Sequence, residues 1–386
     1  MKNTILLTII LHLPISLLAQ SSEINPIIVG IPMLDFNTNA RIGAMGVVGT
    51  VISSSQTNRY SFQNPALLSN GDQIVGGELS FHPWLRSVSD DMWLGELNAY
   101  YSLNKKNAVG YRYRILNLGQ VYSVDLAGDP LDIENLKELF HQITYSHSFD
   151  RLSVGVGVKY VSSEVTSITF AKNNDQSLKT YSIDLGVSYH NTVISTSLFK
   201  MGYVLGSSIR NFGPKKYYSS ETRKDFLPTD FSMGILIDND WEINNWLTLG
   251  LEVAYQANKL LVPTPIPPEV DENGIVIKTF DNDMTPFHAL YKSFYDAPGG
   301  PSEEFHEIQH RVGSEFRMVL ADIIVLYNRL GRFMEHETKG NRNYYSHGTG
   351  IEVYGIALDY CKTFNNSTST ADDWIMTLRF SKKIDK

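Results

Sequence analysis

The chain has 386 residues, a formal net charge of −8 and a single cysteine, Cys361. The negative charge argues against nucleic acid as a partner, because nucleic-acid-binding surfaces are basic. One cysteine excludes an intramolecular disulfide framework. Charged residues make up only 19% of the chain, which is sparse for a soluble surface and typical of a membrane barrel, where half of the strand residues face lipid.

The first 19 residues have the pattern of a secretory signal peptide. Lys2 supplies the positive charge, and an apolar run from Ile5 ends at the small residue Ala19. This run is shorter than the ~20 apolar residues that a membrane helix needs, and no later stretch approaches that length. We therefore predict that residues 1–19 are removed on export and that the protein is not a helical membrane protein.

The dominant periodicity of the remaining chain is two, which is the period of β-strands. In residues 152–160, 181–189 and 247–255, apolar side chains alternate with small or polar ones. Aromatic residues lie at or near the ends of several apolar faces, where an outer-membrane barrel has its interfacial girdles. Strands are predicted at residues 74–83, 92–103, 108–118, 141–149, 152–163, 180–189, 192–201, 228–238, 246–257, 308–318, 322–331, 348–353, 356–364 and 374–382.

The connections between these strands alternate between short and long, a pattern typical of bacterial barrels with short periplasmic turns and long outer loops. Short connections are expected at 104–107, 150–151, 190–191, 239–245, 319–321 and 354–355, and long ones include 119–140, 202–227, 258–307 and 332–347. The predicted fold class is therefore all-β. We expect a transmembrane outer-membrane β-barrel of about 14 antiparallel strands, formed as one domain by residues 74–386.

Two segments lie outside this strand pattern. Residues 20–73 precede the first strand and are rich in small residues, so we expect this N-terminal segment to fold into the lumen as a plug or into the periplasmic mouth. The longest outer connection, 258–307, begins with a proline-rich stretch. Loops of this length are uncommon unless they are functional or disordered. Its aromatic residues give it enough apolar surface to be either a lid packed on its own barrel or a binding loop.

Residues 306–310, His-Glu-Ile-Gln-His, match the H-E-x-x-H pattern of zinc proteases, which requires both histidines on one face of a helix. Arg311 follows at once, Gly313 would interrupt a helix, and residues 312–318 alternate as a strand. On a strand, residues i and i+4 are about 13 Å apart, too far to share one metal ion. We therefore predict no zinc site at this motif.

Other motifs that could carry chemistry are incomplete. Residues 271–274 and 281–283 resemble fragments of calcium loops but do not continue to the distal glutamate of an EF-hand, and the first is better interpreted as a turn. We find no phosphate-binding glycine loop, no nucleophile elbow and no convincing Ser-His-Asp constellation. The sequence therefore predicts no catalytic residue, no metal and no cofactor.

Charged residues occupy the strand face opposite to the apolar one, and polar residues normally fill or line the lumen of a barrel. We expect these side chains to form a salt-bridge network that plugs the lumen, in preference to an open conducting pore. The inward-facing charged residues are Arg112, Arg114, Lys159, Asp184, Glu252 and Glu315.

Short motifs follow one another in a characteristic order along the chain after the signal peptide. They are Asn25-Pro26-Ile27-Ile28, Pro32-Met33-Leu34, Ala40-Arg41, Gly43-Ala44-Met45-Gly46, Asn64-Pro65-Ala66, Pro83-Trp84-Leu85-Arg86, residues 293–300 with Glu303-Glu304, Lys339-Gly340-Asn341-Arg342 and Thr377-Leu378-Arg379-Phe380. Each motif is weak by itself, but jointly they are specific. The sequence resembles the PorV family of the type IX secretion system over nearly its whole length.

The resemblance implies a barrel similar to the FadL fatty-acid transporters, located in the bacterial outer membrane. It implies a protein that docks on the giant translocon barrel, called SprA or Sov, and binds the C-terminal signal domain of secreted cargo. It also implies delivery of that cargo to attachment proteins of the PorU, PorQ and PorZ type, without catalysis. The alternatives are a FadL-like transporter of hydrophobic small molecules and a lipopolysaccharide-modifying enzyme.

We expect the long outer connection to supply the contacts with cargo or translocon, because aromatic residues are the usual energetic anchors of protein interfaces. A bend at Pro298-Gly299-Gly300 is expected to return the chain to the strand that follows. Outer-membrane lipid is the remaining expected partner. The candidate contact residues are Phe280, Phe287, Tyr291, Phe294, Tyr295, Pro298, Gly299 and Gly300.

Overall fold

The computed structural model describes a protein built mainly of β-strands. It covers residues 24–52, 62–69, 73–85, 89–124, 130–165, 177–218, 223–266, 269–270, 276–278, 284–365 and 373–383. The strands are β1 (Gln73–Pro83), β2 (Trp93–Ser102), β3 (Asn107–Val124), β4 (Pro130–Phe149), β5 (Leu152–Ser163), β6 (Leu178–Ser195), β7 (Phe199–Phe212), β8 (Asp230–Asn244), β9 (Leu247–Leu260), β10 (Glu269–Val270), β11 (Val276–Lys278), β12 (Gln309–Leu320), β13 (Ile324–Met334), β14 (Asn343–Val353), β15 (Ile356–Asn365) and β16 (Trp374–Lys383).

Short helices occur before the first strand and in the long connections. The α-helices of the described residues are α1 (Ala40–Ala44), α2 (Pro286–Lys292) and α3 (Pro301–His306), and the 3-10 turns are Pro32–Asp35, Pro65–Ser69 and Glu337–Lys339. None of the helices in the described part of the chain is long and apolar enough to cross a membrane.

Fourteen of the strands form one closed antiparallel barrel. β1 pairs with β16, which closes the ring, and every other neighbour along the ring is also the neighbour along the chain except at β9 and β12. β10 and β11 form a separate two-stranded sheet within the connection between β9 and β12. The predicted fold class and strand number are therefore confirmed.

Several predicted connections are too long, and one predicted turn is wrong. Residues 190–191 lie inside β6, which continues to Ser195, because the β-branched residues 192–194 favour an extended strand. The turn to β7 lies at 196–198 instead. The predicted connection at 202–227 is shortened because β7 continues to Phe212.

The same extension affects other strands. β3 and β4 run past their predicted ends, so that most of the predicted connection at 119–140 is strand. β8 continues to Asn244, which leaves only 245–246 as the turn to β9. Pairing across the barrel wall stabilises these polar strand ends, and that pairing is not visible in local sequence periodicity.

The two faces of the strands differ in chemistry. In β6, Tyr181, Ile183 and Leu185 are exposed on the outside, whereas Ser182 and Asp184 are buried on the inside. Exposed apolar and buried polar side chains reverse the arrangement of a soluble protein and are characteristic of a barrel surrounded by lipid. The barrel therefore has a lipid-facing outer surface.

Aromatic side chains mark one border of this outer surface. Phe81 lies 6.1 Å from Trp93 and from Trp374, measured between ring centroids, at the barrel end that carries the long connections. On another part of the ring, the Tyr255 hydroxyl and His310 Nδ1 are 2.7 Å apart in a hydrogen bond. Such aromatic belts lie at the level of the lipid headgroups.

Inside the barrel, buried charged side chains are paired. Arg329 lies between Glu315, at 2.5 Å, and Asp359, at 2.6 Å, and Asp359 also pairs with Arg379. An unpaired charge in this environment would cost several kcal/mol, so each carboxylate is stabilised by its cation. All six residues predicted to face inward are buried.

The described part of the N-terminal segment lies inside this ring of strands. Arg41, in α1, pairs with Glu252 at 3.2 Å and with Glu315 at 3.1 Å. The Thr38 hydroxyl donates a hydrogen bond to Glu96 at 2.6 Å. Because these partners belong to strands β2, β9 and β12, the segment is held from opposite sides of the barrel.

Glycines in the barrel wall allow the backbone of this segment to approach closely. A Cβ atom at Gly331, in β13, would lie 2.0 Å from the amide nitrogen of Gly46, and a Cβ atom at Gly155, in β5, would lie 2.3 Å from the carbonyl carbon of Pro65. Gly46 itself has a φ of +66°, a conformation that favours glycine. The motifs around Gly46 and Pro65 are therefore the points at which the segment contacts the wall.

We predict that Gly331→Val lowers the stability of the barrel by roughly 1–3 kcal/mol, the usual cost of overpacking. The new side chain would collide with the backbone at Gly46 and push the N-terminal segment from the wall. Heat-dependent mobility of the folded barrel in detergent measures the effect. Leu330→Val, at a neighbouring lipid-facing position, is the control, and equal melting of the two variants would contradict the assignment.

Candidate interaction site on the long outer loop

The connection between β9 and β12, residues 261–308, forms the long outer loop, and its described part folds into two short helices. α2 begins after Thr285, whose hydroxyl accepts a hydrogen bond from the His288 amide, and Pro286 occupies the first helical position. α3 begins after Gly300, which has a φ of +68°. Local capping therefore explains where both helices start.

The predicted bend at 298–300 leads into α3, so that a helix, which the sequence analysis did not predict, separates it from β12. The Gly299 amide donates to Glu303 at 2.7 Å, and the Ala297 amide donates to Glu304 at 2.8 Å. These two carboxylates fold the bend back onto the first turn of the helix.

Aromatic side chains of the loop are exposed on its surface. Phe287 is 72% exposed, and Tyr291, Phe294 and Tyr295 are also exposed. Phe305, in α3, is 70% exposed and was not among the predicted contact residues. Phe280 lies outside the described residues. We refer to Phe287, Tyr291, Phe294, Tyr295 and Phe305 as the aromatic surface.

Two members of the aromatic surface also pack on the barrel. The ring of Phe287 meets that of Phe212 at 4.9 Å, and the ring of Phe294 meets that of Phe231 at 6.2 Å, both edge to face. Phe212 ends β7, and Phe231 lies near the start of β8. The loop is therefore seated on the rim of the barrel while much of each ring stays open to a partner.

Between α3 and the barrel wall lies an apolar groove of about 420 Å³. Met233 and Ala257, which face outward from β8 and β9 and pair in register, form its floor. Phe294 and Phe305 contribute to its sides. The groove therefore lies on the outer flank of the barrel and not over the lumen.

Buried ion pairs hold α3 in place. Lys259, at the end of β9, pairs with Glu304 at 2.9 Å and with Glu307 at 2.5 Å. Lys339, in the neighbouring connection, pairs with Glu303 at 2.5 Å and with Glu307 at 3.0 Å. We call these five residues the ionic clasp. Sequence reasoning missed it because its two lysines lie 80 positions apart, at 259 and 339.

The N-terminal segment also reaches the clasp. The Asn25 amide nitrogen donates to Glu303 at 3.2 Å and to the Pro265 carbonyl at 2.9 Å. The backbone amide of Asn25 donates to the Thr338 carbonyl at 2.8 Å. Loop, clasp and N-terminal segment therefore form one connected structure at this end of the barrel.

The two histidines of the H-E-x-x-H motif lie in different elements. His306 ends α3 and stacks on His336, with ring centroids 3.5 Å apart, whereas His310 lies in β12 beside Tyr255. Burial and the neighbouring His336 and Lys339 lower the pKa of His306. Among the described residues, no group of His, Cys, Asp and Glu side chains is arranged to hold a metal ion.

Asp296 is the acidic group of the loop that faces the clasp. Burial, with the nearby carboxylates of Glu304 and Glu307, raises its pKa to about 6. Thr264 donates a hydrogen bond to it at 3.3 Å. Since the folded loop favours the protonated form, this contribution to stability is complete below the ordinary pKa near 3.8 and is lost as pH rises through about 6.

We predict that Asp296→Asn stabilises the folded loop at pH 7.5 and has little effect at pH 4. Asparagine keeps an acceptor for Thr264 without the charge that Glu304 and Glu307 repel. Hydrogen exchange of the α3 amides, compared with the wild type at each pH, measures the change. Asp150→Asn, in the exposed turn at the opposite end, is the control. Equal exchange in all proteins at pH 7.5 would exclude the repulsion.

Comparison with protein families identifies one match. Residues 19–267, which are more than half of the chain and include the N-terminal segment and strands β1–β9, match the family "Type IX secretion system protein PorV". Comparison with curated proteins finds no match.

Solved structures with a similar course of the chain are outer-membrane barrels. A Pseudomonas aeruginosa FadL homologue is 9% identical, with 94% of this chain and 100% of that chain covered and a TM-score of 0.42. The Ralstonia pickettii toluene transporter TbuX is 10% identical, with 91% and 99% covered and a TM-score of 0.42. The P. putida toluene transporter TodX is 11% identical, with 92% and 100% covered and a TM-score of 0.44.

With TM-scores below 0.5, these likenesses carry no functional argument. The closed barrel, the lipid-facing outer surface, the internal N-terminal segment and the family match agree with one another. This chain is an integral outer-membrane protein that belongs to the PorV family of the type IX secretion system.

Proposed function

We propose that this protein binds the C-terminal signal domain of secreted cargo at the SprA/Sov-like translocon and carries it to attachment proteins of the PorU, PorQ and PorZ type. The observation that carries the proposal is the aromatic surface, which the ionic clasp holds on the barrel rim. Exposed aromatic side chains on a fixed support are typical anchors of protein interfaces. The family match supports a role in type IX secretion.

The interior of the barrel favours a carrier over a channel. Arg41 and its partners Glu252 and Glu315 cross the lumen, and Met33 and Leu34 are buried near one end of it. We infer that the N-terminal segment acts as a plug. A FadL-like transporter of hydrophobic molecules would need a continuous apolar path where this structure has charged side chains. We also infer that the protein is not an enzyme, because no described group of residues joins a nucleophile, an acid and a base.

The position of the aromatic surface bears on the choice of partner. Phe287 and Phe294 pack at the rim, and the groove beside Phe294 is floored by outward-facing Met233 and Ala257. A protein embedded in the same membrane would meet this flank directly. A translocon contact is therefore the first interaction that we expect the surface to make, with the cargo signal domain held beside it.

We predict that the triple change of Phe287, Tyr291 and Phe294 to Ala weakens recovery of cargo and translocon by at least about 30-fold, since one interface hot spot contributes about 2 kcal/mol. Co-purification from outer membranes, quantified by mass spectrometry, measures the loss. Tyr354→Ala, which removes a 77% exposed aromatic residue at the opposite end of the barrel, is the matched control.

Barrel melting of the same variants separates this proposal from a lid that packs only on its own barrel. The lid predicts a lower melting temperature with normal cargo recovery, because the contacts of Phe287 with Phe212 and of Phe294 with Phe231 are lost. Tyr291→Ala is informative by itself, since Tyr291 stacks on His288 of its own helix. That outcome would reject the interface and leave the lid.

A further inference from the structure

The apolar groove has a structural relationship to the lipid-facing surface that its role beside the aromatic surface does not require. Its floor residues Met233 and Ala257 belong to the outward faces of β8 and β9. Two residues further along the same faces lie Ile235 and Tyr255, which also pair in register and are exposed. The groove is therefore continuous with the surface that meets the bilayer.

The level of the groove follows from the aromatic belt. Tyr255 and His310, joined by their 2.7 Å hydrogen bond, belong to the belt on this side of the barrel. The groove floor begins two residues beyond Tyr255, towards the long outer loop. Its mouth therefore lies where acyl chains of the outer leaflet meet their headgroups.

The inner end of the groove is closed by part of the ionic clasp. Lys259 and Glu304 both line it, and they pair with each other at 2.9 Å. Lys259 is also paired with Glu307 at 2.5 Å. Because its charge is already balanced by two carboxylates, the site offers no free cation to the carboxylate of a fatty acid. The remaining lining is dominated by apolar and aromatic side chains, among them Phe231, Pro301 and Ile308.

We propose that this groove binds one acyl chain of an outer-leaflet membrane lipid, whose headgroup stays at the surface of the bilayer. The groove volume of about 420 Å³ lies within the range of roughly 300–1,000 Å³ for sites that bind small molecules. Burial of the chain against Met233, Phe294 and Phe305 would stabilise it, since each apolar group leaves water or a less ordered contact.

This lipid site goes beyond the proposed role in secretion. It shares Phe294 and Tyr295 with the aromatic surface, so a bound chain would form part of the flank that a membrane partner meets. Binding of the lipid itself requires neither cargo nor translocon. The two proposals can therefore fail independently.

Native mass spectrometry of the full-length protein, extracted from outer membranes in mild detergent and washed, tests the site. We expect one retained lipid per barrel in the wild type. Ala257→Trp places an indole on the groove floor and should lower the retained fraction at least tenfold. Ile235→Trp, two positions from Met233 on the same strand face but outside the groove, should retain the lipid.

A second variant guards against an effect on barrel folding. Phe305→Ser removes a wall of the groove from α3 and leaves the barrel strands unchanged, so it should also lower lipid retention. Heat-dependent mobility in detergent confirms that each variant is folded.

The mass of the retained molecule distinguishes its source. A glycerophospholipid or lipid A that is lost in Ala257→Trp and Phe305→Ser supports the proposal. The proposal is wrong if the wild type retains no lipid, if it retains only detergent or free fatty acid, or if all variants retain the same lipid equally.

Discussion

The structure depends on the need to pair charges inside a barrel whose outside faces lipid. A carboxylate or guanidinium in this interior has little water to solvate it, so it must meet an opposite charge. Arg329 does so between Glu315 and Asp359, and these contacts join β12, β13 and β15. Arg41 satisfies the same need for Glu252 and Glu315 from the N-terminal segment, which ties that segment to the strands.

The same requirement shapes the rim. In the ionic clasp, Lys259 and Lys339 share Glu307 and bring together the end of β9, α3 and the connection after β13. With α3 fixed by charge, its apolar side chains are not needed for its own docking. Phe305 is therefore free to remain 70% exposed, which is costly in water unless a partner or lipid covers it. The division between charged anchors and exposed aromatic residues makes the rim suited to interaction.

A filled barrel with an exposed rim fits a protein that handles other proteins at its edge. The lumen holds Arg41, Thr38 and their partners, so transport through the barrel would require the N-terminal segment to leave. The groove beside α3 lies on the outer flank, where the bilayer and any neighbouring barrel are found. Interaction within the plane of the membrane is thus a property of the surface geometry.

The sequence by itself determined the barrel, its strand number and the inward charges, because alternation with period two records which side of each residue faces lipid. It also identified Phe287, Tyr291, Phe294 and Tyr295 as candidate contacts from their residue type and the length of the loop. Only the tertiary structure decided the turn after Ser195, the exposure of Phe305 and the pairing of Lys259 with Glu307. These features depend on contacts between residues distant in the chain, and local periodicity carries no information about such contacts.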